Sequence, residues 1–313
     1  MVVMNNVTIR DDRQFRALMG VSPSLFSQLL GKFRIVRRKK QAEAYRTGRR
    51  TGTRQRKPGG GAKGRLATDR QKLKFILYYY KNYPTFDVLG AHFNLSRSKA
   101  HANVYKLSPL LHDTLAEMGM VPHRHFDSVD DFKLALDGVD LIIIDATERA
   151  YRRAIDDATQ RAYYSGKQRL HTVKNMVIST PHKFILFLGQ TFTGNNHDYK
   201  ILKTELPPGL EWFSDIKVFI DLGYLGIQSH YPGDDIHIPH KKPRKSKNNP
   251  NPELTQLQKE ENRAISKVRI FVENAIAGIK RYNILVHRFR NRTPKFDDSV
   301  IAVAAGLWNL SLA

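Results

Sequence analysis

Four branched apolar residues run straight into a carboxylate at Leu141-Ile142-Ile143-Ile144-Asp145. So short and continuous a run reads as a β-strand buried on both faces. An ionised carboxylate at its end is costly to bury alone. Asp145 must therefore cap a turn, sit at the sheet edge, pair with a cation or bind a metal. Lys217-Val218-Phe219-Ile220-Asp221 repeats the pattern: an apolar strand that ends in aspartate.

Charge says what such a chain meets. The formal net charge is +23 over 313 residues. Residues 1–125 hold 25 Lys and Arg against 7 Asp and Glu, an excess of +18. A basic excess gathered at one end points to a polyanion held there, and nucleic acid is the first choice. No long amphipathic basic helix stands out to favour a membrane surface. The chain has no cysteine, which excludes disulfides and thiolate metal sites. No apolar run approaches the roughly 20 residues that span a bilayer. Met1-Val2-Val3-Met4 leads into Asn5 and Asn6 rather than a signal-type apolar core. A soluble, intracellular protein is expected.

The basic part divides in three. Residues 1–35 read as a small helical module, with Phe15, Leu18 and Met19 in one apolar cluster and Phe26, Leu29 and Leu30 in another. Ser22-Pro23-Ser24 supplies the cap between them. Residues 36–68 read as a basic flexible arm that includes Arg49, Arg50, Arg54, Arg56 and Lys57, with Pro58-Gly59-Gly60-Gly61 inside it. Such an arm neutralises phosphates and binds DNA in a salt-dependent way. Residues 69–125 carry a helix-turn-helix pattern. One helix covers Gln71 to Tyr80, Pro84-Thr85 opens a second, and Asn94-Leu95-Ser96 makes the turn into a third. The third buries Ala100, Val104 and Leu107 and offers Arg97, Ser98, Lys99, His101 and Lys106, the composition of a recognition helix for a major groove. His92 and His101 read as packing or phosphate contacts.

After a connecting helix over Val129 to Ala135, residues 138–313 change to strands. Leu141–Glu148, Thr172–Thr180 and Phe184–Phe192 make an antiparallel meander. Arg149–Ala162 reads as a hairpin arm. A helix follows over Tyr199–Leu206, then strands at Lys217–Asp221 and Ile236–Pro239, a basic loop, a long helix from Leu254 to Tyr282 and a closing helix from Ser299 to Leu312. This order is that of a ribonuclease-H-like α/β fold, a mixed five-stranded sheet flanked by helices and preceded here by an all-α DNA-binding part. Its first and fourth strands are neighbours, so Asp145 and Asp221 should lie side by side. Two carboxylates so placed repel, and a divalent cation resolves that. The long helix shows an apolar stripe of Ile265, Val268, Val272, Ala275, Ile276 and Ile279. Arg269, Glu273 and Lys280 share a narrow face on its flank. A surface salt-bridge ladder is the plain reading of such a row. The weakly polar neighbours of Glu273 make it the candidate third acid.

Several short motifs carry a resemblance. Asp145-Ala146-Thr147-Glu148, Tyr164-Ser165-Gly166-Lys167 with His171 and Lys174, Gly194 with His197-Asp198, Asp221-Leu222-Gly223-Tyr224-Leu225-Gly226, Pro239-His240-Lys241-Lys242-Pro243 and Asn262…Arg269…Glu273…Lys280 occur in this order. In that order they resemble the DDE-superfamily endonucleases, transposases of bacterial insertion sequences and Harbinger-type elements. Where the family's signature helix has a tyrosine three positions before its arginine, this chain has Ser266. The resemblance implies a DNA transposase in a bacterial cytoplasm, at the nucleoid when bound to DNA. It would bind terminal inverted repeats as a dimer or larger assembly, cut DNA and join the end to a target. Asp145, Asp221 and Glu273 would hold two Mg²⁺ or Mn²⁺ ions, roughly 3.5–4 Å apart in such sites. Lys167, Lys241, Lys242, Arg269 and Lys280 would touch DNA, with His197 and Asp198 as accessory residues. Two readings stay beside this one: a catalytically silent DNA-binding descendant, and a metal-dependent nuclease without strand transfer.

Overall fold

The computed structural model describes residues 2–4, 7–57, 64–233, 235–247 and 249–313, with side chains from residue 9. Pro58 to Lys63 of the expected arm lie outside the described residues, as does Asp234. Strands β1 (Val2–Met4) and β2 (Val7–Ile9) pair antiparallel. Helix α1 (Asp12–Met19) follows, capped by Asp11, whose carboxylate accepts from the Gln14 amide. Helix α2 (Pro23–Arg50) starts with Ser22 as cap and Pro23 in its first turn, both favourable there. It buries Phe26, Leu29, Leu30, Phe33 and Val36 at helical spacing.

Here the structure corrects the expectation of a flexible arm from residue 36. The segment to Arg50 continues α2. Low hydrophobicity hid a run of Arg, Lys, Gln, Ala and Glu, all good helix formers. Ion pairs also fasten it to later elements: Arg37 to Asp69, Lys39 to Glu117, and Lys40 to Asp113. Only from Thr51 does the chain leave the helix, and Thr51 to Lys57 are exposed.

The three expected helices are present as α3 (Asp69–Asn82), α4 (Phe86–Phe93) and α5 (Arg97–Ala116). Each has an oxygen cap, from Thr68, Thr85 and Ser96. Thr68 and Gln71 form a reciprocal capping box. The α4–α5 turn passes through Asn94 in the left-handed region (φ 53°). It leaves no room at Gly90, where a Cβ would lie 2.5 Å from the Leu95 carbonyl oxygen.

After α6 (Val129–Ala135) comes the sheet. It contains β3 (Leu141–Ala150), β4 (Tyr164–Ser165), β5 (Leu170–Ser179), β6 (Ile185–Leu188), β7 (Phe192–Thr193), β8 (Lys217–Phe219) and β9 (Ile236–His237). The backbone order is β4-β5-β3-β8-β9, with β6 and β7 also on β5. β3–β5 is antiparallel; β3–β8 and β8–β9 are parallel. Two expectations change. The single strand over Phe184–Phe192 is two, because Asn175 reaches out of β5 and bonds the Gly189 carbonyl and Thr191 hydroxyl between them. The expected hairpin arm after Arg149 contains a helix, α7 (Asp157–Tyr163), capped by Asp156. The remaining helices are α8 (Asp198–Glu205), α9 (Gln256–Ile279), α10 (Asn283–Val286) and α11 (Phe296–Leu310).

Alternation along β3 sends Ile143 to one face and Ile142 and Ile144 to the other. Ile142 and Ile144 join Met176, Ile178, Val218 and Phe132 in one core. Ile143, Val177 and Phe219 join α9 and α11 in the other, and that core continues into α1–α5. Burying each such side chain stabilises by roughly 1.5–3 kcal/mol. The helical part and the sheet are therefore joined through a shared apolar core. Asn309 fastens the joint from α11: its side chain accepts from the Ile185 amide (2.9 Å) and donates to the Ile185 and Met120 carbonyls (both 2.9 Å).

Candidate active site

The β3–β8 register decides where the two aspartates fall. Ile143 pairs with Phe219 in parallel, so two residues further along, Asp145 in β3 and Asp221 just past the end of β8 come level. Their side chains meet one cation. Arg269, from the middle of α9, places Nη2 at 3.5 Å from Asp145 Oδ2 and Nη1 at 3.0 Å from Asp221 Oδ1. Asp145 Oδ1 also accepts from the Ala146 amide at 2.7 Å. Burial pushes the Asp145 carboxyl up to about 6. The Ala146 amide and Arg269 oppose that rise, while Asp221 and Asp198 add to it.

A second layer stands behind the pair. Tyr224 ends the short 3₁₀ turn that follows Asp221 and is only 1% exposed. Its hydroxyl has no hydrogen-bond partner among the described residues. Burial, with the charges of Asp145, Asp198 and Asp221, holds the phenol well above its ordinary value. Asp198, in the first turn of α8, pairs with Lys174 at 3.1 Å, and Lys174 also donates to the Asn196 carbonyl. The Asp198 carboxylate packs on Gly223, where a Cβ would meet Oδ2 at 3.4 Å. Gly194 has a steric reason too: a Cβ there would lie 2.1 Å from Thr172 Oγ1 and 2.7 Å from the Tyr163 carbonyl. The Thr172 hydroxyl donates to Glu148. Lys280, just past α9, lies in the field of Arg149, Glu148 and Asp145, and burial lowers its ammonium pKa.

The other expected residues are not drawn in. Glu273, one turn after Arg269, is exposed and makes no ion pair among the described residues. His197 is exposed at the start of α8 and gives no side-chain cap bond. Arg97, Ser98, Lys99, His101 and Lys106 are exposed along α5, and Arg49, Arg50, Arg54, Arg56 and Lys57 along the end of α2 and beyond it. Lys167, Lys241 and Lys242 are exposed on loops. Sequence pattern alone assigns Tyr224 no role. Its spacing, three residues past an aspartate in a Gly-containing turn, is the signal that such a side chain folds back toward the acid.

Hard carboxylate oxygens suit Mg²⁺ or Mn²⁺, and two of them already converge on one cation. The arrangement does not fit such an ion as it stands. Arg269 fills the place between the acids, and no group of three metal-ligating side chains is assembled among the described residues.

Comparison with known proteins bears on this geometry. The family model described as DDE superfamily endonuclease matches residues 144–309, the stretch that holds both aspartates and α9. The chain belongs to the DDE superfamily endonuclease family. Within this DDE-family chain, residues 65–117 match the helix-turn-helix of DDE superfamily endonuclease, which spans α3 to α5. The DDE-family chain is 29% identical over 304 residues to a probable transposase for insertion sequence element IS702 from Microchaete diplosiphon, covering 96% of this chain and 95% of that protein. No solved structure matches it. No helix among the described residues is long and apolar enough to cross a membrane.

Proposed function

We propose that this DDE-family protein is a DNA transposase that binds the terminal inverted repeats of its element, cuts DNA and transfers the cut strand. The observation that carries the reading is the level placement of Asp145 and Asp221 by parallel register, both on one cation. The five sheet positions, with β4, β7 and β6 sharing the edge of β5, support a ribonuclease-H-like fold.

In this reading Asp145 and Asp221 offer the oxygens for divalent ions, and Glu273, which makes no ion pair among the described residues, turns in from α9 as the third acid. Two Mg²⁺ or Mn²⁺ ions would supply Lewis acidity for in-line displacement at phosphorus. Lys280 and Arg269 hold the backbone of the DNA end. Lys174 pairs with Asp198 and partly offsets the charge that Asp198 brings to Asp145. Tyr224 excludes water behind the carboxylates. The α5 face of Arg97, Ser98, Lys99, His101 and Lys106 reads the repeat. Arg49, Arg50, Arg54, Arg56 and Lys57 neutralise phosphates beside it, and Lys167, Lys241 and Lys242 extend the basic surface. Two ends must be brought together, so the working species is a dimer or larger on DNA.

The test is cleavage and joining of labelled element-end duplex in Mg²⁺ by purified protein, beside Glu273→Gln and an unrelated duplex. Cutting and joining of the element end by the parent, with binding but no cutting by the variant, is the expected result. Tight binding with no cleavage in Mg²⁺ or Mn²⁺ would make the chain a silent DNA-binding descendant. Cutting without end preference or joining would make it a nuclease.

A further inference from the structure

The acid pair is already neutralised from within. Arg269 lends one guanidinium to two carboxylates from different strands, at 3.5 and 3.0 Å. Its side chain is only 14% exposed, and its Nε is buried with no hydrogen-bond partner among the described residues. A guanidinium cannot shed its proton in a protein. A divalent ion therefore cannot settle between Asp145 and Asp221 while Arg269 stays: two cations would share the space of one.

Something must draw Arg269 away, and its chemistry says what. The planar fork binds phosphate oxygens as readily as carboxylates, often through two parallel bonds. A DNA backbone brings phosphates to the mouth of the site. The unpartnered Nε means that the present contacts use only part of the fork, so a phosphate accepting from Nε and one Nη restores a full set. Glu273 sits four residues on, about 40° round the helix from Arg269, and it is exposed with no ion pair among the described residues. Withdrawal of the arginine vacates the space beside the aspartates that Glu273 needs.

We propose that Arg269 is the resident cation of the DNA-free site: it closes the Asp145–Asp221 pair against divalent ions and passes to a backbone phosphate when DNA binds. This rests on the reading of those acids as metal ligands. Its consequence is that DNA and metal bind with positive coupling, and by linkage each tightens the other by the same factor. A free protein built this way holds no competent nuclease site, although Asp145 and Asp221 already converge.

The experiment measures Mn²⁺ binding by electron paramagnetic resonance of the full chain, with and without element-end duplex. The complex of Asp221→Asn with duplex is the blank for ions held by DNA alone. Parent protein should bind Mn²⁺ weakly when free and about tenfold or more tightly on duplex, within the roughly 5–150-fold span of such couplings. Arg269→Gln should bind Mn²⁺ about tenfold more tightly than the parent without DNA, and duplex should add less than about twofold. If Arg269→Gln does not fold, as judged by circular dichroism, Arg269→Lys takes its place. A single ammonium cannot span both carboxylates as the fork does, so it too should bind Mn²⁺ more tightly than the parent without DNA. Equal Mn²⁺ affinity of the free parent and the variant would overturn the proposal while leaving the acids as ligands. No Mn²⁺ binding by either protein, with or without duplex, would remove the metal reading itself.

Discussion

Asn291 offers a sharp test of how the helix-turn-helix part is held to the sheet. Its Oδ1 accepts from Tyr79 and from Tyr83, both at 3.0 Å, and its Nδ2 donates to Tyr105 at 2.8 Å. One amide thus gathers three phenols from α3, the turn after it and α5. Asn291→Ala does not affect them equally. Tyr83 keeps the Arg290 amide, which donates to its hydroxyl at 2.7 Å, and half-buried Tyr105 can turn to water. Tyr79 is 1% exposed and is left with nothing. One orphaned buried hydroxyl costs about 1–3 kcal/mol, and each of the other two bonds contributes about 0.5–1 kcal/mol. The sum is roughly 2–5 kcal/mol, or about 4–20 °C in melting temperature at the ~2–4 °C per kcal/mol of larger domains. The assay is thermal and urea unfolding of the parent, Asn291→Ala, Tyr79→Phe and the double variant. Tyr79→Phe should cost the parent but restore about 1 kcal/mol or more in the Asn291→Ala background, because it removes the orphan. A loss under about 0.5 kcal/mol, or additive effects in the double variant, would refute the reasoning.

Three further outcomes are expected. Burial lifts the Asp145 carboxyl to about 6, above the roughly 3.9 of an unfolded aspartate; its contribution to stability is therefore present below about pH 4 and lost as pH rises through about 6. Asp145→Asn should remove that slope, and parallel melting-temperature curves for parent and variant between pH 4 and 7 would contradict it. Arg49, Arg50 and Arg54 changed together to Gln should lower the slope of log affinity against log salt by about 0.9 for each phosphate no longer neutralised, read by fluorescence anisotropy over a KCl series; an unchanged slope places DNA elsewhere. Gly278→Val drives a Cβ into the Trp308 ring, whose nearest atom lies 2.3 Å from that position. It should destabilise by about 1–3 kcal/mol, and Trp308→Leu should recover part of that in the same urea titration.

Much of the fold was legible because its signals are local. Caps at Ser22, Thr85 and Ser96 and the apolar run at Leu141–Ile144 fix element type without help from tertiary contacts. Two of the misreadings share a cause: features that contacts distant in sequence help to decide. The α2 extension is fastened by Asp69, Asp113 and Glu117, far along the chain. The break between β6 and β7 depends on Asn175 reaching across from β5. In the site, pattern placed Arg269 and Glu273 on one face of α9, and Asp145 beside Asp221. It could not say which of the two helix side chains ends between the acids. Side-chain length and the rotation of α9 against the sheet decide that, and in this structure they favour the arginine.

The buried helix α11 carries a consequence for how the molecule is made. It packs on α5 and α9 and tethers β6 through Asn309, yet it follows α5 by about 180 residues in the chain. At roughly 5–20 residues per second of synthesis, the helix-turn-helix waits on the order of 10–40 s before the helix that joins it to the sheet has been translated. During that interval the apolar side of α5 lacks its partner, although the basic face is complete. The order of synthesis thus makes α11 the last helix laid on, and the side of α5 that it covers the one left open longest.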